Sequence, residues 1–342
     1  MSQVIKRDNH FVPCMYLKNW ATDGKVEVYR TLIQHEKVPL WRSSHLKGIG
    51  YTRNLYVDTR TGTENDELED FFGQIYEDPA EAVFGKVIAN AKLTPKDYRV
   101  LISFFALQDL RTPKKFIDHL KSSRNEDFSK MFQGVVDRVL EKAPPHFEPS
   151  GEMKFHDGFP LKLRITKEDG QLCVDAERLI GRASWLWSIK HVLANIAERL
   201  CENKWTILHP AKGYKWYTSD NPVLKLNYYD DDSYDFKGGW VNKGSELMLP
   251  LSPEHLLYTS VGTSPPILRG TRVSEAQTTQ LNQLIVENSH RYVIADTKCP
   301  KIEELHTRVV SAERIRSERE LIDDLHQSQA DAEVKFYATQ SA

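Results

Sequence analysis

The stretch that most constrains this chain is TPKDYRVLISFFALQDLRTP, residues 94–113. Thr94 has the side chain of a helix N-cap, and Pro95 takes the first helical position, where its missing N–H costs nothing. The run at 100–107 is apolar almost all round. A helix with no polar face must be covered on every side, so the rest of the chain has to wrap around it. Pro113 then ends the pattern. It offers no N–H to the Asp109 carbonyl and frees a backbone acceptor beside Arg111.

Other segments supply the cover. ASWLWSIKHVLANIA, the centre of a helix read over about 175–202, is apolar on most sides and predicts a long helix deep in the core. Residues 63–91 place Leu68, Phe71, Phe72, Ile75, Val83 and Val87 at helical spacing. Thr63 and Asp66 read there as a capping pair, and Pro79 as a kink or break. A further helix is predicted over roughly 126–142. Strand-like runs flank this block. KVEVYR alternates apolar and polar residues, PLKLRI follows the helices, and WTILH, KWYT, VLKLNY, ELMLPL and HLLYTSV fill the last third. EAQTTQLNQLIVENS reads as a helix among them, with the strand RYVIA after it.

This segregation predicts an α+β fold: N-terminal strands, a central helical block with a long buried helix, and a C-terminal mixed or antiparallel sheet with one inserted helix. The N-terminal and C-terminal strands are expected to share a sheet. One α+β domain is therefore expected over 1–310, followed by a charged helical tail over 311–342. The tail reads first as a solvated helix, and second as a docking or homo-oligomerisation helix.

Composition narrows the function classes. With 40% hydrophobic and 27% charged residues, the chain has the balance of a soluble globular protein. Its formal net charge of −2 gives no global basic field for nucleic acid and leaves only a local groove for that role. Cys14, Cys173, Cys201 and Cys299 form no C-x-x-C pair, which argues against a zinc knuckle or disulfide framework and fits a reducing cytosol. No run approaches the ~18–20 apolar residues of a membrane span, and the N-terminus lacks a signal-peptide core, so a cytoplasmic location is expected. There is no G-x-x-x-x-G-K-[ST], G-x-G-x-x-G after a strand, G-x-S-x-G or H-E-x-x-H. The common NTPases, dinucleotide enzymes, α/β-hydrolases and zinc peptidases are therefore poor readings.

Three places can carry chemistry. His10, in NHFVPCMYLKNW, is an imidazole able to act as acid, base or metal ligand, or simply as a hydrogen-bonded turn residue. Gln108 and Arg111 lie three residues apart on one face of a buried helix. A buried guanidinium must pair with an internal carboxylate such as Glu77 or face an anionic ligand. Asp220, Asn221 and Pro222, in TSDNPV, make either an ordinary turn or a catalytic loop at a strand end. The polar stripe Ser184, Ser188, His191 and Asn195 reads as a hydrogen-bonded helix face, and Asp230, Asp231 and Asp232 as a solvated hairpin tip.

Together these segments resemble a known set. NHFVPCMYL is similar to the H-x-x-P-x-x-Y-L opening of the bacterial family catalogued as domain of unknown function 4238. ALQDLRTP is similar to its Q-x-x-R-T-P helix end, YTSDNPV to its T-S-D-N-P loop, LPLSPEHLL to the following strand, and LNQLIVENSHRYVIA to its N-x-x-x…R-x-V element. The likeness covers about residues 8–296 and falls on His10, Pro13, Tyr16, Leu17, Gln108, Arg111, Asp220, Asn221, Pro222, Asn288 and Arg291. Cys14 and Met15 stand where the pattern has a polar or basic residue and an aromatic. The resemblance implies a shared fold and a shared site, without a substrate.

These positions are mostly polar, and such side chains are costly to bury without purpose. The first reading is a hydrolase acting on a phosphoester of nucleic acid or nucleotide. In it His10 is general base or metal ligand, and Asp220 orients His10 or binds a divalent metal ion. Arg111 stabilises negative charge, while Gln108, Asn221, Asn288 and Arg291 position substrate. The second reading is a non-catalytic module that binds a small anionic ligand or a protein partner. The third is a buried hydrogen-bond network that fixes the fold.

Overall fold

Thr94 caps its helix through a reciprocal pair of bonds. Its hydroxyl accepts the Asp97 N–H at 3.2 Å, and the Asp97 carboxylate accepts the Thr94 N–H at 2.8 Å. The helix then runs Pro95–Leu110, and Pro113 opens the next one, Pro113–Asn125. The computed structural model describes residues 5–59, 63–125, 141, 148, 151, 154–156, 159–169, 171–230, 233–263, 270–324 and 326–338.

The apolar helix is covered as its sequence demands. Tyr16 stacks on Phe104 with ring centroids 5.9 Å apart, Phe84 meets Phe104 edge-on at 5.2 Å, and Trp205 meets Phe105 at 5.1 Å. Leu101, Phe104, Phe105 and Leu107 have no exposed surface. Burying each such side chain contributes about 1.5–3 kcal/mol.

The stretch 63–91 is helical in three pieces: Glu67–Phe72, a π-helical turn Gly73–Glu77, and Asp78–Ile88. Pro79 falls in the first turn of the last piece and does not break it. Its missing N–H removes the bond to the Ile75 carbonyl, and the turn before it widens. Asp66 makes no capping bond. Its carboxylate accepts the Lys6 N–H at 2.7 Å instead.

The second core helix is shorter than its apolar pattern suggests, Arg182–Asn195 followed by Ala197–Leu200. Residues 171–178 belong to a strand, paired antiparallel with Phe159–Glu168. Val174 and Ala176 alternate there with Asp175 and Glu177, the period of a strand. The polar stripe on the helix is hydrogen-bonded: Ser184 reaches His119 on another helix at 2.9 Å, while Ser188 bonds the Trp185 carbonyl and Asn195 the His191 carbonyl. The helix read over 126–142 lies outside the described residues, 141 apart, as do Asp231 and Asp232.

N-terminal and C-terminal strands share a sheet, as expected. Its order is Thr218–Ser219, Tyr292–Ala295, Lys25–Arg30, Trp41–His45, all antiparallel. A second antiparallel sheet orders Ser233–Asp235, Leu224–Asp230, Glu246–Ser252, His255–Ser260 and Thr206–Leu208. Helices beside antiparallel sheets make the α+β class. The short strand Asp8–His10 pairs with Tyr51–Arg53, placing His10 opposite Tyr51. Gly50 pins this corner. Its carbonyl accepts the Phe11 and Val12 amides at 2.8 and 3.0 Å, and its φ is +72°. A Cβ there would stand 2.9 Å from the Val12 carbonyl, so only glycine fits.

The segment from 311 onward is held against the body. Val309–Val310 pairs parallel with Leu32–Ile33. Glu318 bonds Arg291 at 2.8 Å, and Glu333 bonds Arg182 at 2.9 Å with both side chains buried. Among the described residues, no helix is long and apolar enough to cross a membrane.

Candidate functional site

The carbonyl of Phe11 is the hub of a buried cluster. Gln108 donates to it through Nε2 at 2.8 Å and Arg111 through Nε at 3.2 Å. Their three-residue spacing at the end of the helix Pro95–Leu110 puts both side chains there, as expected for one helix face. Arg111 also donates from Nη1 to Glu77 at 2.6 Å, and its own carbonyl accepts the Tyr56 hydroxyl at 2.6 Å.

Three polar atoms of this cluster are buried with their capacity unspent: His10 Nε2, Gln108 Oε1 and Arg111 Nη2. A buried donor or acceptor without a partner costs about 1–3 kcal/mol. Gln108 and Arg111 carry theirs beside the shared Phe11 carbonyl, and His10 carries its own on the neighbouring residue.

Glu69 completes the cluster, and sequence reasoning missed it. Burial pushes its carboxyl up to about 7, against the pull of Arg111 and with the help of Glu77. The π turn between residues 73 and 77 brings these two acids, eight positions apart, within electrostatic reach of one another. Burial, reinforced by the Arg111 charge, lowers the His10 pKa, so its imidazole is neutral at pH 7. Burial alone would lower Arg111, but Glu77 outweighs it and keeps the guanidinium charged. The result is an imidazole biased toward its neutral form and a carboxyl biased toward its protonated form in the field of a fixed positive charge.

A second knot holds the TSDNP loop. Both oxygens of Asp220 accept backbone amides, from His290 at 2.8 Å and Arg291 at 2.7 Å. Burial raises the Asp220 pKa, opposed chiefly by His290. Asn221 donates to the Asn288 carbonyl at 3.0 Å, while Asn288 donates to the carbonyls of Asn221 and Val223 at 2.8 and 2.9 Å. Thr112 ties this knot to the first, donating its hydroxyl to Asn221 at 3.2 Å. Asp220, Asn221 and Asn288 therefore spend their side chains on backbone and on each other. The orienting contact expected from Asp220 to His10 is not among the described bonds. Glu69 meets His10 through the His10 backbone N–H, while the carboxylates that act on the His10 imidazole are Glu77 and Asp8.

Arg291 faces elsewhere. It lines a cavity of about 430 Å³ together with Arg30, Arg42, Arg319, Tyr51 and Tyr292. Tyr51 stands between cavity and cluster, its ring 5.6 Å from that of His10. Tyr292 links the same two regions, its hydroxyl accepting the Gly50 N–H at 3.1 Å. No three His, Cys, Asp or Glu side chains among the described residues group as a metal set.

The fold and site together define an α+β protein with an interior acid–base–guanidinium cluster beside an arginine-lined cavity. The chain belongs to the family of proteins of unknown function DUF4238, whose family model matches residues 8–299. No curated protein and no solved structure matches the chain.

Proposed function

We propose that the protein is a hydrolase of phosphoesters, with His10, Glu69 and Arg111 as its working groups. The observation that carries this reading is the Glu69 carboxyl, pushed up to about 7 by burial beside the His10 backbone and in the field of Arg111. An acid and a base are most effective when their pKa values lie near the working pH. His10 takes the proton of the attacking water, protonated Glu69 supplies one to the leaving oxygen, and Arg111 Nη2 stabilises charge on the phosphoryl group. Gln108 and Glu77 hold the guanidinium and the chain around it. Asp220, Asn221 and Asn288, first read as catalytic or substrate-binding, act as positioning residues through the loop they fasten. The substrate in this reading is a nucleotide or nucleic acid and the setting is the cytoplasm, which the four free cysteines suit.

A second reading, a binding module for a small anionic ligand or a protein partner, draws on the arginines that line the cavity beside Tyr51. Incubation of the purified protein with nucleotides, RNA and DNA, with and without Mg²⁺ or Mn²⁺, separates the two. The hydrolytic reading expects phosphoester cleavage that His10→Ala abolishes. Cleavage at an equal rate in His10→Ala removes His10 from the chemistry, and tight binding without cleavage favours the module.

A further inference from the structure

The cavity beside His10 collects four guanidiniums from distant parts of the chain. Arg30 ends the strand Lys25–Arg30, Arg42 lies on the neighbouring strand Trp41–His45, Arg291 precedes the strand Tyr292–Ala295, and Arg319 closes the helix Ala312–Arg319. In a chain of net charge −2 this is a concentrated positive field. Among the described residues, only Arg291 of the four is ion-paired, with Glu318 at 2.8 Å. Arg30, Arg42 and Arg319 make no ion pair with a described carboxylate. Three like charges without a carboxylate partner, set around one concave wall, leave guanidinium donors free for an anion from solution.

The rest of the wall specifies more than charge. Arg42, Tyr51 and Arg319 are exposed, so the cavity opens to solvent. Val28, Ile49 and Ile315 give it an apolar floor. Tyr51 presents an aromatic ring at the rim, a surface on which a planar base stacks. A volume near 430 Å³ suits a small ligand of nucleotide size and is too small for a duplex.

We propose that this cavity binds a nucleoside di- or triphosphate, its phosphates forked by Arg30, Arg42 and Arg319 and its base against Tyr51. The site extends the hydrolytic reading by giving a ligand class. It is tested by binding without turnover, so either claim can fail while the other stands.

The test is calorimetric titration of the full chain with ATP, ADP, adenosine, inorganic triphosphate and a short single-stranded oligonucleotide. Affinity should rise from adenosine through ADP to ATP, exceed that of triphosphate alone, and fall as salt is added. The double variant Arg42→Ala/Arg319→Ala should weaken ATP binding by about tenfold or more. Ile315→Trp, which fills the cavity and keeps every arginine, should also weaken it. Circular dichroism confirms that each variant is folded, and if one is not, Arg42→Gln alone takes its place with the same expected direction. The proposal is overturned if ATP does not bind at millimolar concentration, or if it binds equally well to the cavity variants. Triphosphate binding as tightly as ATP overturns the nucleoside part. Tighter binding of the oligonucleotide overturns the mononucleotide part.

Discussion

Arg111 and Glu77 meet at 2.6 Å in the interior, and the pair uses one prong of the guanidinium while Nη2 remains buried and unpartnered. A bidentate pair would close the fork on both oxygens, which is the stronger geometry. In the proposed reaction this open prong is the donor that Arg111 offers to a developing negative charge.

Arg111→Met should therefore cost both stability and activity. Glu77 keeps 21% of its side chain exposed, so the uncompensated charge is partly solvated and the loss should sit near ~3 kcal/mol, the low end for a broken buried pair. Arg111→Lys keeps the charge but not the fork. It should recover part of the stability in urea unfolding while turnover stays down by roughly a hundredfold.

Glu69 should make the protein less stable as pH rises. Its folded pKa of about 7 lies above its ordinary 4.5, so between these values the folded chain holds a proton that the unfolded chain releases. Stability falls across that window, and above it the penalty is complete. Glu69→Gln removes the titration and should be more stable than the parent at pH 8, at the expense of activity. Thermal melts from pH 4 to 8 would show parallel rather than diverging curves if Glu69 does not carry this shift.

Much of this framework can be read from the sequence, and the reasons it stops are local. Thr94, Pro95 and Pro113 mark their helix because caps and prolines act within a few residues. Gln108 and Arg111 are legible as a pair because helical spacing fixes them to one face. The strand at 171–178 is less so, since its short alternation runs on into the apolar helix beyond. Glu69 looks like one of many acids on an exposed helix. Its raised pKa comes from burial within the field of Arg111, 42 positions away, and no local pattern carries that. The arginine cavity is hidden for the same reason, its four members being spread from residue 30 to residue 319.

Glu318 shows the opposite linkage in acid. Burial would raise its pKa, but the bond to His290 and the charge of Arg291 outweigh it and hold the carboxyl down to about 2. Its stabilising contribution is full above the ordinary value of 4.5 and is lost as pH falls from there through about 2. Glu318→Gln should flatten the acid limb of the stability profile, as followed by urea midpoints between pH 2 and 5.

Asn221 and Asn288 exchange side-chain-to-backbone bonds and should behave as one unit. Each alanine substitution should cost about 1–3 kcal/mol through unpaired buried groups. A double-mutant cycle should return a coupling of about 0.5–3 kcal/mol, and strict additivity would mean the two asparagines act apart.

The C-terminal helix should be needed by the body it lies against. Glu333→Ala leaves Arg182 buried without its carboxylate and also removes the bond from Thr59. A loss of about 3–5 kcal/mol in global unfolding follows from breaking such a pair. A separate early transition of the tail alone, with the main midpoint unmoved, would show that the helix is dispensable.

The most direct measurement is the pH–rate profile of phosphoester cleavage, on whichever substrate of the panel turns over, for the parent, Glu69→Gln and His10→Ala. The account predicts a bell for the parent whose alkaline limb falls near pH 7, where Glu69 loses its proton. That limb should vanish in Glu69→Gln together with most of the rate, and His10→Ala should be inactive. An unchanged bell in Glu69→Gln, with the parent's rate, would contradict it.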